Sequence, residues 1–480
     1  MAVARKIAYN VAVNSISKFL ATVLALVSIG FITRYLGREG FGNYATVLAF
    51  LSFFAAVADL GLYHISTREI SRHGADEEKI MGNIFSIRII ASLLIFVISP
   101  LIVMFFPYPR EVKESIIIVA ASFFFSSAYQ VLNGVFQKNL AMDRVSIAEL
   151  IGKVVQTIFI ILAVKMNWGF DWIVASLLFY MILTFLIVFI WSKKYIHIKL
   201  QFDFSYWKSF LKESVPMGIT AVITFAYFKM DTIILSYIKS SADVGIYNVA
   251  YKVLENITFF PAMIAGLVLP LMSGTIFSDR EKFEDIANKT FKFFIVLIVP
   301  IVIATLFLSE GIINLIGGAG FAESAQILRI LIFSLVFIFF GNYFNTILIV
   351  GNMQKKLMLV LSLTAALNIS LNLYFIPQFS YIASAYISVL TEMTVVALTF
   401  YLTKKNIKYS PKLEKKSGIL FSAIIMTLFL FLLKGLNFFF LALGSVFVYF
   451  FFLWFFKTIK TSEIQSLISK KGVEEYEEIP

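Results

Sequence analysis

The chain has 480 residues, of which 60% are hydrophobic, 16% aromatic and only 15% charged. Soluble domains carry roughly a quarter of charged residues, so this composition excludes an ordinary soluble globular protein. The formal charge of +12 does not indicate nucleic acid as a partner, because most Lys and Arg residues lie between apolar blocks. The absence of cysteine excludes disulfides and thiolate metal ligands.

Apolar blocks recur along the whole chain, and each is long enough to cross a bilayer as a helix. The alternating pattern of a membrane β-barrel is absent from the sequence, so helices must satisfy the backbone in lipid. We therefore expect an all-α polytopic membrane protein with about 14 transmembrane helices. Two joins are short, one near Gly37 and one between Lys434 and Asn437. The predicted spans are 11–35, 42–65, 81–106, 114–136, 146–166, 172–192, 211–238, 245–275, 290–309, 326–350, 357–376, 381–402, 417–433 and 437–457.

The basic residues orient these spans. If the amino terminus is cytoplasmic, 28 Lys and Arg residues fall in the inner segments and 7 in the outer segments. The seven outer residues are Arg34, Arg38, Arg110, Lys113, Lys165, Lys239 and Lys434. Cytoplasmic loops carry the excess of positive charge, and a shift by one helix would remove this asymmetry. The sequence therefore predicts a multi-pass protein of the cell (cytoplasmic) membrane with both termini in the cytoplasm.

Two segments of the chain suggest an internal repeat. Gly42-Asn43-Tyr44-Ala45 follows the first span, and Gly245-Ile246-Tyr247-Asn248 opens the eighth, 203 residues later. Near the same displacement, Pro100 lies inside the third span and Pro300 inside the ninth. Six spans separate the repeats, so they are parallel, as in many transporters. The predicted domains are an N-terminal six-helix bundle at 1–200, a C-terminal six-helix bundle at 201–405, two additional transmembrane helices at 406–457, and a cytoplasmic tail at 458–480.

A short motif at the first join carries a resemblance to a known family. Arg34-Tyr35-Leu36-Gly37, followed by Gly42 and Tyr44, reads R-x-L-G-x4-G-x-Y. This pattern, together with the length and the span plan, resembles the polysaccharide-biosynthesis (O-antigen-type) flippases of the multidrug/oligosaccharidyl-lipid/polysaccharide (MOP) exporter superfamily. The resemblance implies a flippase that moves a polyprenyl-(pyro)phosphate-linked oligosaccharide from the inner to the outer leaflet, for cell-surface polysaccharide or glycoconjugate synthesis.

Polar residues inside the spans are the candidates for a binding site, because they are costly in a membrane and usually functional. Asn10, Asn14 and Lys18 form a stripe on the first span, which either lines a cavity or ends in an interfacial lysine. Lys252 and Glu255 share a face of the eighth span. Either this face binds a phosphate head group, or the two residues form a structural ion pair. The candidate substrate-binding residues are Lys18, Asn14, Arg88, Lys229, Asn248, Lys252 and Asn256.

The remaining charges inside the spans have simpler interpretations. Glu149 and Lys153 have the spacing of an ion pair within one helix. Arg88 either lines an inner vestibule or extends to the interface, and Arg329 is expected to be an anchor at the start of its span. Glu392 and Asp231 are candidates for coupling transport to a cation or proton. Lys229 and Asp231 are two residues apart and therefore point to different faces.

Nothing in the sequence indicates catalysis. The three histidines, His64, His73 and His197, lack metal-ligand spacing, and there is no P-loop. We expect a protein that is not an enzyme and has no cofactor, no metal and no nucleic-acid partner. Its expected partners are a polyprenyl-linked glycan, membrane lipid and a coupling cation or proton, and it is expected to work as a monomer beside glycosyltransferases.

Two other functions remain open. One is a cation-coupled multidrug exporter of the related MATE branch, which favours carboxylates in its cavity. The intramembrane residues here are six basic and five acidic, a margin too small to exclude it. The basic ones are Lys18, Arg88, Lys153, Lys229, Lys252 and Arg329, and the acidic ones are Asp59, Glu149, Asp231, Glu255 and Glu392. The other is a scaffold that transports nothing, which has little reason to retain such charges.

Overall fold

The computed structural model describes residues 2–59, 62–70, 74 and 76–458. Every regular element in these ranges is helical, and no strand occurs among them. Because lipid offers no hydrogen-bonding partner, the helix satisfies each backbone group within its own segment. His73 and the part of the predicted tail that follows Thr458 lie outside the described residues. The side chains of Asp59 and His64 also lie outside them.

The α-helices follow one another with short connections, as expected for spans that cross and re-cross a bilayer. They are α1 (Ala2–Asp59), α2 (Leu62–Ile70), α3 (Glu77–Met104), α4 (Arg110–Lys138), α5 (Met142–Lys165), α6 (Phe170–Ser192), α7 (Phe204–Ile238), α8 (Ser241–Ile257), α9 (Phe259–Thr275), α10 (Arg280–Ile316), α11 (Ser324–Val350), α12 (Gln354–Leu402), α13 (Lys416–Leu432) and α14 (Phe438–Phe455). A 3₁₀ turn at Ala319–Phe321 precedes α11, and a π-helical turn at Thr403–Ile407 extends α12.

Each predicted span lies mainly on helix among the described residues, and the span 42–65 extends from α1 into α2, with residues 60 and 61 outside the described part. Ten helical segments of the described residues are long and apolar enough to cross a membrane. Two of these segments hold two predicted spans each, because α1 breaks at Gly37 (φ 66°) and α12 breaks at Ser380 (φ 51°). The helices α7 and α13 carry the other two spans. The all-α polytopic fold class is therefore confirmed. The two predicted short joins, near Gly37 and between Lys434 and Asn437, lie where the sequence places them, at the break in α1 and between α13 and α14.

The chain divides into two compact units that do not follow the chain order. Unit 1 contains residues 1–253, 314–324 and 361–387, and unit 2 contains 254–313, 325–360 and 388–480. The buried core of unit 1 includes Phe136 of α4 and Val188 of α6. The core of unit 2 includes Met426 of α13 and Tyr449 of α14, packed with residues of α10. The domain boundaries near residues 200 and 405 stay a prediction, since compactness and internal repetition are different properties.

The two glycines that mark the predicted repeat lie against each other within unit 1. A Cβ atom on Gly42 of α1 would lie 1.7 Å from the carbonyl oxygen of Ser241 at the start of α8. A Cβ atom on Gly245 of α8 would lie 2.2 Å from the carbonyl oxygen of Arg38. Neither position has room for a side chain, so the helices touch backbone to backbone. Small residues allow such close approach in membrane proteins, where burial of apolar surface gives little drive for helix association.

The arginine of the R-x-L-G motif caps the end of another helix. Arg34 donates from Nη2 to the carbonyl oxygens of Asn314 and Leu315, both at 2.8 Å, near the end of α10. Thr33 donates to the carbonyl oxygen of Ile316 at 2.9 Å. The last carbonyls of a helix have no partner within it, and a cation also interacts favourably with the helix dipole there. These contacts lie within unit 1 and fix the end of the first span to the segment 314–324.

Candidate functional site

A row of polar side chains follows one face of α5 in unit 1. Glu149, Lys153 and Gln156 lie at i, i+4 and i+7, which places them on successive turns. The hydroxyl of Tyr129, on α4, is a hydrogen-bond partner of Glu149. Lys153 donates from Nζ to Oε1 of Gln156 at 2.9 Å, and its ammonium lies 5.8 Å from the ring centroid of Tyr180 on α6. These five residues are called the α5 row below.

Two further lysines of unit 1 act on this row. Lys18 of α1 interacts electrostatically with Glu149, and Lys252 of α8 interacts electrostatically with Lys153. The expected Glu149–Lys153 ion pair is not among the contacts of the described residues, since Lys153 donates to Gln156 instead. Lys18 thus acts on the carboxylate of the row, and Lys252 brings a second ammonium group close to that of Lys153. Like charges repel strongly where water is scarce, so such a cluster is suited to hold an anion.

The polar stripe on α1 packs along α5. Asn10 donates to the carbonyl oxygen of Leu140 at 2.7 Å and accepts from the backbone N–H of Asp143 at 2.9 Å. Asn14 accepts from the hydroxyl of Ser146 at 3.1 Å. The repeat of four residues along α1 thus meets α5 turn by turn and ends at Lys18, which is exposed. These contacts give Asn14 a packing role between two helices, and its predicted role in substrate binding is still a prediction.

A second polar cluster joins α7 to α8. Asp231 is 4% exposed and accepts hydrogen bonds from the hydroxyl of Tyr247 and, at 2.6 Å, from the backbone N–H of Thr232. Asn248 is also buried, accepts from the hydroxyl of Thr232 at 3.4 Å, and donates to the carbonyl oxygen of Val244 at 3.0 Å. A buried polar group is stable only when it is hydrogen-bonded, and these contacts supply the partners.

Lys229 lies on the aromatic face of a neighbouring helix. Its ammonium is 4.8 Å from the ring centroid of Tyr251 on α8, within the range of a cation–π contact. Lys229 and Asp231 lie two residues apart on α7, yet Lys229 interacts electrostatically with the Asp231 carboxylate. The hydroxyl of Tyr251 donates to the carbonyl oxygen of Phe228 at 2.7 Å. Both predicted polar positions on α7 are thus held by residues of α8.

The other predicted residues are not members of the α5 row. Arg88 is 1% exposed, and its Nη1 atom lies 3.5 Å from the hydroxyl of Ser127 on α4. Protein encloses Arg88 on all sides, and its predicted role in substrate binding stays a prediction. Asn256 and Glu392 belong to unit 2, where Glu392 is 8% exposed. Arg329 of unit 2 pairs with Glu310 at 2.8 Å.

Sequence reasoning missed three members of the α5 row. Gln156 was detectable, because it continues the spacing of Glu149 and Lys153 by one turn. Tyr129 and Tyr180 carry no such signal, since the chain has 21 Tyr and 53 Phe residues and aromatic side chains occur in most spans. Their role depends on α4 and α6 packing beside α5, which the sequence alone does not specify.

Comparison with known proteins agrees with this architecture. The chain is 24% identical over 299 residues to the capsular polysaccharide biosynthesis protein CapF of Staphylococcus aureus, which covers 61% of this chain and 74% of that protein. Its fold is similar to the inward closed conformation of the lipid II flippase MurJ, with a TM-score of 0.75 and 18% identity, over 93% of this chain and 98% of that one. It is also similar to the inward-facing conformation of a multidrug resistance MATE family transporter, with a TM-score of 0.65 and 14% identity, over 83% and 98% of the two chains.

Family models give the same assignment. The model described as polysaccharide biosynthesis protein matches residues 7–276, more than half of the chain. The match includes the R-x-L-G motif and all five residues of the α5 row. A second model, described as MatE, matches residues 216–374. The resemblance found in the sequence is thereby confirmed. This chain belongs to the polysaccharide biosynthesis protein family, within the MOP superfamily of exporters.

Proposed function

We propose that this protein is a flippase that moves a polyprenyl-(pyro)phosphate-linked oligosaccharide from the inner to the outer leaflet, by alternating access of the two predicted bundles. The observation that carries the proposal is that Lys18 and Lys252 interact electrostatically with Glu149 and Lys153 of the α5 row. In this proposal a phosphate or diphosphate binds between Lys153 and Lys252, whose ammonium groups otherwise repel each other. The relatives named for lipid II flipping and capsular polysaccharide biosynthesis support a lipid-linked glycan as the substrate.

The positions of the three lysines suggest an order of contact. Lys18 is exposed and is the first ammonium that a head group entering from the amino-terminal end of α1 would meet. Lys153 and Lys252 then hold the phosphates farther along the helices. Gln156 and Tyr180 keep Lys153 in place. In this proposal the polyprenyl tail stays in the lipid and both termini lie in the cytoplasm.

The proposal predicts that Lys252→Ala and Lys153→Gln abolish glycan export. A charge-assisted hydrogen bond contributes about 1.5–3 kcal/mol, so loss of one ammonium should weaken head-group binding roughly tenfold to a hundredfold. Surface glycan is measured in a deletion strain that expresses each variant at equal abundance. Lys165→Gln is the matched control, because Lys165 is exposed at the end of α5, outside the row. Wild-type glycan levels in both variants would sink this assignment of the site.

The second candidate is a cation-coupled exporter of small molecules. It is favoured by the MatE match over residues 216–374 and by the two buried carboxylates, Asp231 and Glu392. A buried carboxylate can bind a cation or a proton during transport. The same deletion strain separates the two functions. If the protein is a flippase, its deletion removes surface glycan. If it is an exporter, its deletion leaves surface glycan intact and makes the strain sensitive to drugs.

A further inference from the structure

An aromatic cavity lies in unit 2, formed by α10, α11, α12 and the segment that follows α12. Its volume is about 310 Å³, at the lower end of the range for small-molecule sites. The rings of Phe291 and Phe340 pack with centroids 5.3 Å apart, and those of Phe344 and Phe400 pack at 5.4 Å. The lining residues are Phe291, Phe340, Phe344, Phe400, Ser410 and Pro411. Four phenyl rings make this surface suitable for a hydrocarbon chain.

The segment that borders the cavity is fixed to unit 2. Tyr409 is buried, its hydroxyl lies 2.7 Å from that of Tyr343, and it donates to Oδ1 of Asn288 at 2.8 Å. The backbone N–H of Lys412 donates to the same Asn288 oxygen at 2.8 Å. Arg280 donates to the carbonyl oxygen of Lys408 at 3.1 Å. Burial raises the pKa of Tyr409 to about 12, so its hydroxyl keeps the proton that it donates.

This bordering segment is strongly basic. Residues 403–416, called the lysine linker below, contain six lysines and one acidic residue, all exposed. The lysines are Lys404, Lys405, Lys408, Lys412, Lys415 and Lys416, and the acidic residue is Glu414. Lys405 lies over the ring of Tyr401, and Lys415 donates to the backbone of Lys457. In the described part of the chain, no acidic side chain pairs with Lys404, Lys408 or Lys412.

The lysines and the phenyl rings adjoin each other along the chain. Lys404 lies one helical turn beyond Phe400, which lines the cavity. Ser410, which also lines it, lies between Lys408 and Lys412. An apolar cavity thus has a positively charged border that hydrogen bonds hold in place, and the one between Tyr343 and Tyr409 is buried. Basic residues close to a membrane attract anionic lipid head groups by about 1 kcal/mol each.

We propose that the aromatic cavity and the lysine linker form a binding site for an anionic phospholipid. One acyl chain lies among the four phenyl rings, and the phosphate interacts with Lys404, Lys408 and Lys412. A lipid-linked glycan fits this site less well, because the lining offers a single side-chain hydroxyl, that of Ser410, and no amide or carboxylate for sugar hydroxyls. The site lies in unit 2, outside the α5 row, and does not depend on the proposed transport function.

The test is native mass spectrometry of the purified full-length protein in detergent, supplied with phosphatidylglycerol and phosphatidylcholine of the same acyl chains. The wild type is expected to retain one phosphatidylglycerol in preference to phosphatidylcholine, by at least about fivefold. The triple change Lys404→Gln, Lys408→Gln and Lys412→Gln is expected to weaken this retention at least about tenfold. The change Ser410→Phe, which fills the cavity from an exposed position, is expected to weaken retention of both lipids.

Two control variants separate this site from general surface charge. Lys193→Gln, Lys194→Gln and Lys199→Gln remove three exposed lysines from unit 1, and Ser417→Phe adds a ring outside the cavity. Both controls are expected to retain phosphatidylglycerol as the wild type does. Equal retention of the two lipids by the wild type overturns the proposal. It is also overturned by equal losses in the two triple variants, or by a preference for polyprenyl phosphate over phosphatidylglycerol.

Discussion

The groups that face a charged side chain within a membrane protein determine its role. Lys153 has an amide oxygen, an aromatic ring and a second ammonium near it, and none of these is a carboxylate. Asp231, by contrast, accepts two hydrogen bonds and also has Lys229 near it. The first environment leaves positive charge in excess, and the second largely satisfies a negative charge. This difference is why we propose anion binding for the α5 row and keep Asp231 as a candidate for coupling to a cation or proton.

The hydrogen bond of Tyr247 to Asp231 should contribute measurably to stability. We expect Tyr247→Phe to lower the free energy of unfolding by about 1–3 kcal/mol, because a buried carboxylate loses one of its donors. Denaturation of the purified variant in detergent measures this loss. Tyr237→Phe is the control, since Tyr237 is 57% exposed and its hydroxyl is not buried. Equal stability of the two variants would mean that the Tyr247 hydroxyl does not support Asp231.

Pairs of helices in unit 1 meet through their smallest residues. Gly42 and Gly245 allow α1 and α8 to touch, and Gly152 of α5 packs against Thr184 and Tyr180 of α6. At these positions even one methyl group has no room. Arg34 then secures the end of the first span by bonding the carbonyls of Asn314 and Leu315. These contacts give the family motif a role in holding helices together within unit 1.

Substitution of Gly42 should reverse the usual effect of alanine in a helix. Gly→Ala at an open helical site stabilises the helix by up to about 1 kcal/mol. At Gly42 the new Cβ atom would lie 1.7 Å from the oxygen of Ser241, so we expect Gly42→Ala to destabilise by roughly 1–3 kcal/mol. Gly266→Ala is the matched control, because nothing lies within 4 Å of the Cβ position there. The midpoint of thermal unfolding in detergent measures both, and a stabilised Gly42→Ala would contradict the close contact.

At the scale of the whole molecule, the charges between the helices predict the orientation in the membrane. The lysine linker and the connection between α6 and α7 carry many of the 28 basic residues assigned to one side, and seven lie on the other. Because positively charged loops are retained in the cytoplasm, the lysine linker is expected there. The same assignment places the connection between α3 and α4 outside the cell, together with Arg110, the first residue of α4.

This orientation can be tested with single cysteines, because the chain contains none of its own. A thiol reagent that does not cross membranes should label Arg110→Cys in intact cells. It should label Lys408→Cys only in inverted vesicles, since both positions are exposed and the predicted orientation places them on opposite sides. Labelling after detergent treatment confirms that each cysteine is reactive. If Lys408→Cys reacts in intact cells, the orientation is reversed and the proposed direction of transport is wrong.

The sequence by itself determined the class of the protein and the positions of its spans. A span is recognised from consecutive apolar residues whose length matches the bilayer, and a short connection such as that at Gly37 is also local. The repeated motifs at Gly42 and Gly245 were also recognisable in the sequence, because each is a short local pattern. The family followed from the motif that begins at Arg34, together with the span plan.

Only the tertiary structure decided which polar groups meet. Spacing along α5 predicted an ion pair between Glu149 and Lys153, but Glu149 has Tyr129 and Lys18 as its partners. The i, i+4 rule applies to a helix by itself, and in a bundle the neighbouring helices compete for each side chain. The aromatic cavity bordered by the lysine linker likewise joins residues more than 100 positions apart. Such convergence depends on how distant segments pack, and a pattern read along one segment does not contain it.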